Sequence, residues 1–119
     1  MDELSRMHCR RVSANTPPLD EGEISRLMAQ MPGWKTYVGD GEPRLEKPFR
    51  FPDFRRAIAF TDQVARAADE EDHHPAILTE WGRVTVTWWT HRIKGLHLND
   101  FIMGAKTEEL FEKAASSKP

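Results

Sequence analysis

The chain has 119 residues, enough for one domain with a modest core and too few for two. Its 17 basic and 19 acidic residues give a net charge of −2, so it lacks the basic surface that nucleic-acid binding needs. The longest apolar runs are only a few residues, and the single cysteine excludes an intrachain disulfide framework. We therefore expect a cytoplasmic protein with neither nucleic acid nor a membrane as partner.

The amino end is polar and lacks the apolar segment of a secretory signal. We interpret residues 1–17 as a flexible N-terminal arm and residues 18–115 as the folded domain. The domain opens with strong helix signals, because Asp20 and Glu23 have the spacing of a capping box. An apolar stripe follows, and Pro32-Gly33 predicts the end of this first helix.

The remaining pattern predicts two strands, a helix, two more strands and a last helix. These elements are expected at about 34–38, 45–51, 52–68, 76–80, 83–90 and 98–115. Pro48 favours an edge position or an irregularity in the second strand. The order α-β-β-α-β-β-α predicts an α+β fold with a single four-stranded antiparallel sheet and three helices packed on one face. The two edges of such a sheet favour pairing with a second copy.

Four of the five histidines lie between residues 69 and 100. His73 and His74 precede Pro75, and His91 follows the last strand, so a hairpin should bring three imidazoles to one place. Imidazole changes protonation near neutral pH and is suited to general acid–base catalysis. No nucleophile competes with this interpretation, since Cys9 lies in the arm and no serine occupies a nucleophile elbow.

Other interpretations of the histidines carry less weight. A zinc site is disfavoured, because neighbouring side chains such as those of His73 and His74 diverge in both strands and helices. These two residues could also do no more than cap the preceding helix. The acidic run Asp69 to Asp72 is either a solvated helix end or a set of carboxylates that raises the proton affinity of the imidazoles, and the sequence leaves this open. For His8 and His97 we expect no catalytic role, with His97 at a helix cap.

From about Leu19 to Leu110 the sequence resembles the pterin-4a-carbinolamine dehydratases, also known as dimerisation cofactors of a homeobox transcription factor. The resemblance rests on Gly33-Trp34, Phe51 to Phe60, His73-His74-Pro75, Trp81, Thr90-His91, Gly95-Leu96 and Asp100. The histidine–histidine–proline triplet, followed at these intervals by the later histidine and aspartate, is its most specific part.

The resemblance implies dehydration of 4a-hydroxytetrahydrobiopterin, a pterin-4a-carbinolamine, to the quinonoid dihydropterin in tetrahydropterin recycling. The reaction that the resemblance implies requires no metal and no organic cofactor. The positions that match catalytic residues are His73, His74 and His91. The positions that match substrate-binding residues are Asp72, Trp89, Thr90, Arg92, Asp100 and Trp34. Which imidazole is the acid and which the base stays open.

The resemblance also implies assembly into a homodimer or homotetramer. It leaves two alternatives to catalysis, a protein-interaction or assembly module and pterin binding in molybdenum-cofactor metabolism. The chain departs from the family pattern at Asp69, where a glutamate is usual, and at His97, where the last helix usually has a Ser or Thr cap. We expect such departures to change specificity and to leave activity intact.

Overall fold

The computed structural model of the chain describes residues 2–116. Its helices are α1 (Asp2–Arg6), α2 (Glu21–Met28), α3 (Phe54–Glu71) and α4 (Leu98–Ser116), and its strands are β1 (Lys35–Gly39), β2 (Glu42–Arg50), β3 (Ala76–Glu80) and β4 (Arg83–Trp88). A single 3₁₀ turn, His91–Ile93, follows β4. Among these residues no helix is both long and apolar enough to cross a bilayer.

The four strands form one antiparallel sheet in the order β1-β2-β4-β3. This confirms the predicted α+β fold with its four-stranded sheet. Leu45 of β2 lies opposite Trp88 of β4, and Ile77 of β3 lies opposite Val86. Strands β1 and β3 are the two edges, and pairing of either edge with a second copy stays a prediction.

The core lies between one face of the sheet and the helices. Leu45, Phe49, Val84, Val86 and Trp88 alternate along the two central strands and are at most 2% exposed. Helices α3 and α4 cover this face, and α2 adds partly buried side chains to the same core. Burial of these apolar side chains is the main stabilising term, at ~25 cal/mol per Å² of apolar surface.

Local sequence signals explain most element boundaries. The Asp20 carboxylate accepts a hydrogen bond from the N–H of Glu23, and the Glu23 side chain accepts one from the N–H of Asp20, which is the predicted capping box. Pro48 lies in a central strand, but β1 pairs with β2 only as far as Glu46. The missing N–H of Pro48 therefore interrupts no hydrogen bond between β1 and β2, and β2 is locally an edge there.

The residues before the domain do not project away from it. Helix α1 packs along α4, and Leu4 is only 5% exposed. The Ser5 hydroxyl donates to Glu109, and Lys106 Nζ donates to the Ser5 carbonyl at 2.9 Å. The sequence analysis predicted no helix here, because five residues give too short a periodic pattern. Met1 lies outside the described residues, and the boundary at residue 18 stays a prediction.

Candidate active site

A cavity of about 860 Å³ lies beside the ends of α3 and β4. It is lined by Cys9, Arg10, Arg11, Val12, Ser13, Glu71, Asp72, His73, His74, Trp89, Thr90, His91, Arg92 and Asn99. Its volume falls in the ~300–1,000 Å³ range that is typical of small-molecule sites. The three histidines that the sequence analysis singled out therefore border one hollow.

The end of α3 directs the adjacent histidines into this cavity. Asp72 follows the helix with φ 52° and ψ 44°, the left-handed conformation that ends many helices. The N–H of His73 donates to the carbonyl of Ala68 at 3.1 Å, which closes the last turn. Aspartate tolerates this conformation better than most residues with a side chain. The backbone irregularity at Asp72 allows both His73 and His74 to reach the cavity wall.

The His73 ring forms a hydrogen bond with a buried carboxylate. Its Nε2 is 2.6 Å from Oδ1 of Asp100, a residue with 0% exposure. The other oxygen of Asp100 accepts hydrogen bonds from the Thr90 hydroxyl at 2.8 Å and from the N–H of His97 at 3.0 Å. The imidazole also stacks on Trp88, with the ring planes 10° apart. These contacts fix both the position and the plane of the His73 ring.

The other two imidazoles have exposed positions and their own carboxylate partners. His74 Nε2 is 3.0 Å from Oδ1 of Asp69, and both side chains are more than half exposed. His91 Nδ1 is 3.0 Å from both oxygens of Glu42, at the start of β2. Asp69 therefore reaches its imidazole although it is one methylene shorter than the glutamate usual in the family.

Each of these three rings keeps one nitrogen without a hydrogen bond from residues 2–116: Nδ1 of His73, Nδ1 of His74 and Nε2 of His91. A carboxylate on one nitrogen orients the ring, and the second nitrogen is left to exchange a proton with a ligand. The cavity thus combines several groups that can donate or accept protons near neutral pH.

The turn that carries His91 is closed by a small β-bridge. Thr90 and Gly95 exchange two backbone hydrogen bonds, of 3.1 and 3.4 Å. Gly95 is needed here because a Cβ at this position would lie 2.9 Å from the Cβ of Pro18. The sequence analysis ended β4 at residue 90, whereas the strand ends at Trp88. The two following residues leave the ladder and become part of the cavity wall.

Helix α4 begins with an unusual cap. His97 Nδ1 accepts a hydrogen bond from the N–H of Asn99 at 3.0 Å, as a Ser or Thr oxygen would, and Asp100 completes a reciprocal pair through the His97 N–H. Burial lowers the pKa of His97; the charges of His73 and Arg10 add to this, and Asp100 opposes it. The neutral imidazole needed for an accepting Nδ1 is thereby favoured. The expected cap role of His97 is confirmed.

The structure separates the predicted substrate-binding residues into two groups. Asp72, Trp89, Thr90 and Arg92 line the cavity, although their contacts with substrate stay a prediction. Asp100 does not line it, because its carboxylate is fully buried behind His73. We therefore correct its expected role from substrate contact to positioning of the imidazole.

Trp34 is also placed away from the cavity. It is 5% exposed in the core, where its ring lies edge-on to Phe49 at 5.9 Å. Its Nε1 donates to Glu108 at 3.1 Å, and Lys47 forms an ion pair with the same carboxylate. The indole thus serves as a partner for a buried charge. Trp34 lies just before β1, and its side chain packs on the face of the sheet that the helices cover. The resemblance to the family did not indicate this orientation.

Sequence reasoning missed several residues that line the cavity or contact its histidines. Glu42, the partner of His91, is 49 positions away from it and belongs to no local motif. Asn99 and the arm residues Arg10 and Arg11 were also missed, because nothing in the sequence indicated that the arm returns to the domain.

Cys9, also in the cavity wall, is not a candidate nucleophile. Burial and the charge of Glu71 raise the pKa of its thiol to about 12, so the thiol stays protonated at neutral pH. In the described part of the chain, no three His, Cys, Asp or Glu side chains form a group that could hold a metal ion.

Comparison with known proteins identifies the family of this chain. Residues 17–110 match the family model described as pterin 4 alpha carbinolamine dehydratase. A crystal structure of a transcriptional coactivator/pterin dehydratase from Brucella melitensis is 32% identical, with a TM-score of 0.70 over 78% of this chain and 97% of that one. A pterin dehydratase-like protein identified as a RuBisCO assembly factor in the alpha-carboxysome is 22% identical, with a TM-score of 0.56 over 66% of this chain and 89% of that one, and shows the shared fold. This chain belongs to the pterin-4a-carbinolamine dehydratase family.

Proposed function

We propose that the protein dehydrates 4a-hydroxytetrahydropterins to quinonoid dihydropterins by general acid–base catalysis. The observation that supports this most directly is the set of three imidazoles around one cavity, each paired with a carboxylate and each with a free ring nitrogen. Family membership supports the same chemistry. The cavity is large enough for the bicyclic ring, and Trp89 offers an aromatic surface beside it.

The reaction needs two proton transfers and no change of oxidation state. One acid delivers a proton to the hydroxyl on C4a, the C4a–O bond breaks, and water leaves. A base removes the proton from N5, and the electron pair of that N–H bond forms the C4a=N5 double bond. A positioned acid and base each contribute typically ~10²–10⁴-fold to the rate. His73, His74 and His91 are the proposed donors and acceptors.

Within this scheme, His73 is the imidazole with the best-fixed position. Its Nε2 is engaged by buried Asp100, so Nδ1 is the nitrogen left for the substrate. His74 and His91 are more exposed and can exchange protons with water between turnovers. We assign His73 to a step that requires precise geometry, and His74 and His91 to partner proton transfer and substrate anchoring.

A rate measurement tests this proposal. A 4a-hydroxytetrahydropterin is generated enzymatically, and its decay is followed by absorbance with and without the protein. We expect wild-type protein to accelerate the decay and His73→Ala to lose ~10²–10⁴-fold of that acceleration. Arg66→Ala is the matched control, because Arg66 also pairs with a carboxylate, Asp62, and neither residue lines the cavity. Decay at only the spontaneous rate with folded wild-type protein would contradict the proposal.

A non-catalytic interaction role is the second candidate, and one feature favours it. Leu78 and Trp81, on and just after edge strand β3, are 58% and 71% exposed in the single chain. Exposed apolar side chains at a sheet edge are typical of contact surfaces. If this role dominates, a partner should co-purify with wild-type protein and with His73→Ala alike, and Trp81→Ser should remove it. Loss of the partner in His73→Ala with a folded protein would argue against this second candidate.

A further inference from the structure

Three arginines line the cavity together with the histidines: Arg10 and Arg11 from the arm, and Arg92 from the turn after β4. Within residues 2–116, none of their guanidinium groups forms an ion pair or a side-chain hydrogen bond. Guanidinium stays charged at all physiological pH values and matches the planar geometry of carboxylate and phosphate oxygens. The wall of the cavity thus carries cationic groups that the dehydration step does not use.

The arm is held at the cavity by specific contacts with the backbone of Arg10 and Cys9. The side-chain amide of Asn99, which is 2% exposed, exchanges two hydrogen bonds with the backbone of Arg10: Arg10 N–H to Oδ1 at 2.9 Å, and Nδ2 to the Arg10 carbonyl at 2.8 Å. One residue earlier, the N–H of Cys9 donates to Glu71 Oε1 at 2.7 Å. A buried amide with a reciprocal pair of this kind fixes the register of the arm. Arg10 is consequently held beside the cavity, and Arg11, the next residue of the arm, also lines its wall.

The acidic residues of the cavity leave these arginines available. Both oxygens of Glu71 are taken, one by the Cys9 N–H and the other by His8 at 2.7 Å. Asp72 is the opposing charge in the wall, and no ion pair links it to an arginine. A concave site also focuses the field of its charged groups on the enclosed solvent. Among residues 2–116, the cavity wall therefore offers an anionic ligand three arginines and one aspartate that form no ion pair.

We propose that the physiological substrate is a pterin with an anionic side chain, and that Arg10, Arg11 and Arg92 bind that anionic group. This rests on the proposed pterin site and names its substrate class. The cavity of about 860 Å³ is near the upper end of typical ligand sites, so it has room for a substituent beyond the bicyclic ring. A phosphate monoester suits the arginines better than a carboxylate, since it carries nearly two charges at neutral pH and three acceptor oxygens. The family match begins at residue 17, so the arm arginines are a feature of this chain outside it.

Binding measurements can test the substrate class without turnover. Isothermal titration at low ionic strength compares three reduced pterins: one with a neutral hydroxymethyl group on C6, the phosphate ester of that group, and the matching carboxylate. We expect the phosphate ester to bind about tenfold or more tighter than the neutral pterin, with the carboxylate in between. The advantage should shrink as salt is added.

Variants then test whether the arm arginines cause the preference for the phosphate ester. The double variant Arg10→Gln/Arg11→Gln should lose most of the preference for the phosphate ester over the neutral pterin. Arg55→Gln is the matched control, because Arg55 is an exposed arginine of α3 that does not line the cavity. Circular dichroism verifies that each variant is folded.

The possible outcomes separate this inference from the proposed function. Equal affinity for neutral and anionic pterins, or an undiminished preference in the double variant, overturns the inference and leaves a pterin dehydratase. Binding of a non-pterin sugar phosphate as tightly as the pterin phosphate also overturns it. Failure of every pterin to bind overturns the pterin site itself, and the inference with it.

Discussion

The two sides of the cavity hold their imidazoles in different ways. On one side, His73 is 12% exposed and its partner Asp100 is fully buried. On the other side, His74 and Asp69 are 58% and 78% exposed. The nitrogen–oxygen distance is 2.6 Å in the first pair and 3.0 Å in the second, and the two pairs differ most in burial.

The difference lies in what each pair stabilises. A buried carboxylate with several donors is strongly coupled to the fold, because each lost hydrogen bond leaves an unsatisfied group. Exposed pairs contribute only ~0–1 kcal/mol and rearrange readily. We infer that the fold fixes one imidazole and leaves the others free to adjust and to exchange protons with water.

The largest expected effect is on the buried side. Asp100→Ala leaves the Thr90 hydroxyl and the His97 N–H without their acceptor, in addition to freeing His73. We expect it to lower the free energy of unfolding by about 2–4 kcal/mol. Asp69→Ala is the matched control on the exposed side and should change that free energy by less than ~0.5 kcal/mol. Urea denaturation of both variants measures this, and equal losses would remove the distinction between the two sides.

A smaller effect is expected for the partner of His91. Glu42→Gln keeps an acceptor oxygen near Nδ1 but removes its negative charge, which weakens the hydrogen bond that orients the ring. Because the His91 side chain is 79% exposed, water can replace most of that stabilisation. We expect kcat to fall by less than about fivefold, which corresponds to ~1 kcal/mol. A decrease in kcat as large as that expected for His73→Ala would contradict this, because it would show that the catalytic role of His91 depends on Glu42 as strongly as activity depends on His73.

The smallest effect concerns pH and the cap of α4. The pKa of His97 in the folded state lies below 6.5, so the unfolded chain binds more protons at this site. The stability that this group contributes is complete above about pH 6.5 and is lost as the pH falls towards the lowered pKa. His97→Ser preserves a hydrogen-bond acceptor for Asn99 and cannot titrate.

The melting temperature, measured by thermal unfolding across this pH range, tests the role of His97 in the cap. Wild type should lose more stability than His97→Ser between neutral and mildly acidic pH. The Arg55→Gln variant should follow the wild-type curve in this respect, since Arg55 is exposed on α3 and does not titrate in this pH range. Parallel curves for wild type and His97→Ser would contradict the role of the neutral imidazole.

The sequence predicted the fold well because its elements carry local signals. Alternation in β4, the capping box at Asp20 and the stripe of α3 each depend on neighbours within a few residues. Pro48 shows the limit of such signals. Pro48 predicted an edge position or an irregularity, and β2 is indeed unpaired on its β1 side at this residue. The reason is that β1 pairs with β2 only as far as Glu46, which the sequence does not indicate.

The site was predicted only where residues come from one stretch of sequence. His73, His74 and His91 were found because a single hairpin joins them. Partners from distant elements, such as Glu42, and from the arm, such as Arg10, depend on tertiary packing that periodicity does not encode.

The clamp between Asn99 and the backbone of Arg10 has a practical consequence for biochemical work on this protein. A shortened chain that starts at residue 17, where the family match starts, would keep the sheet and the three cavity histidines. It would lose the part of the cavity wall that residues 9–13 form. Assays on such a fragment would lack the arm arginines that we propose to bind the substrate, whereas residues 1–119 retain them. Any screen for its natural ligand should therefore retain the first sixteen residues.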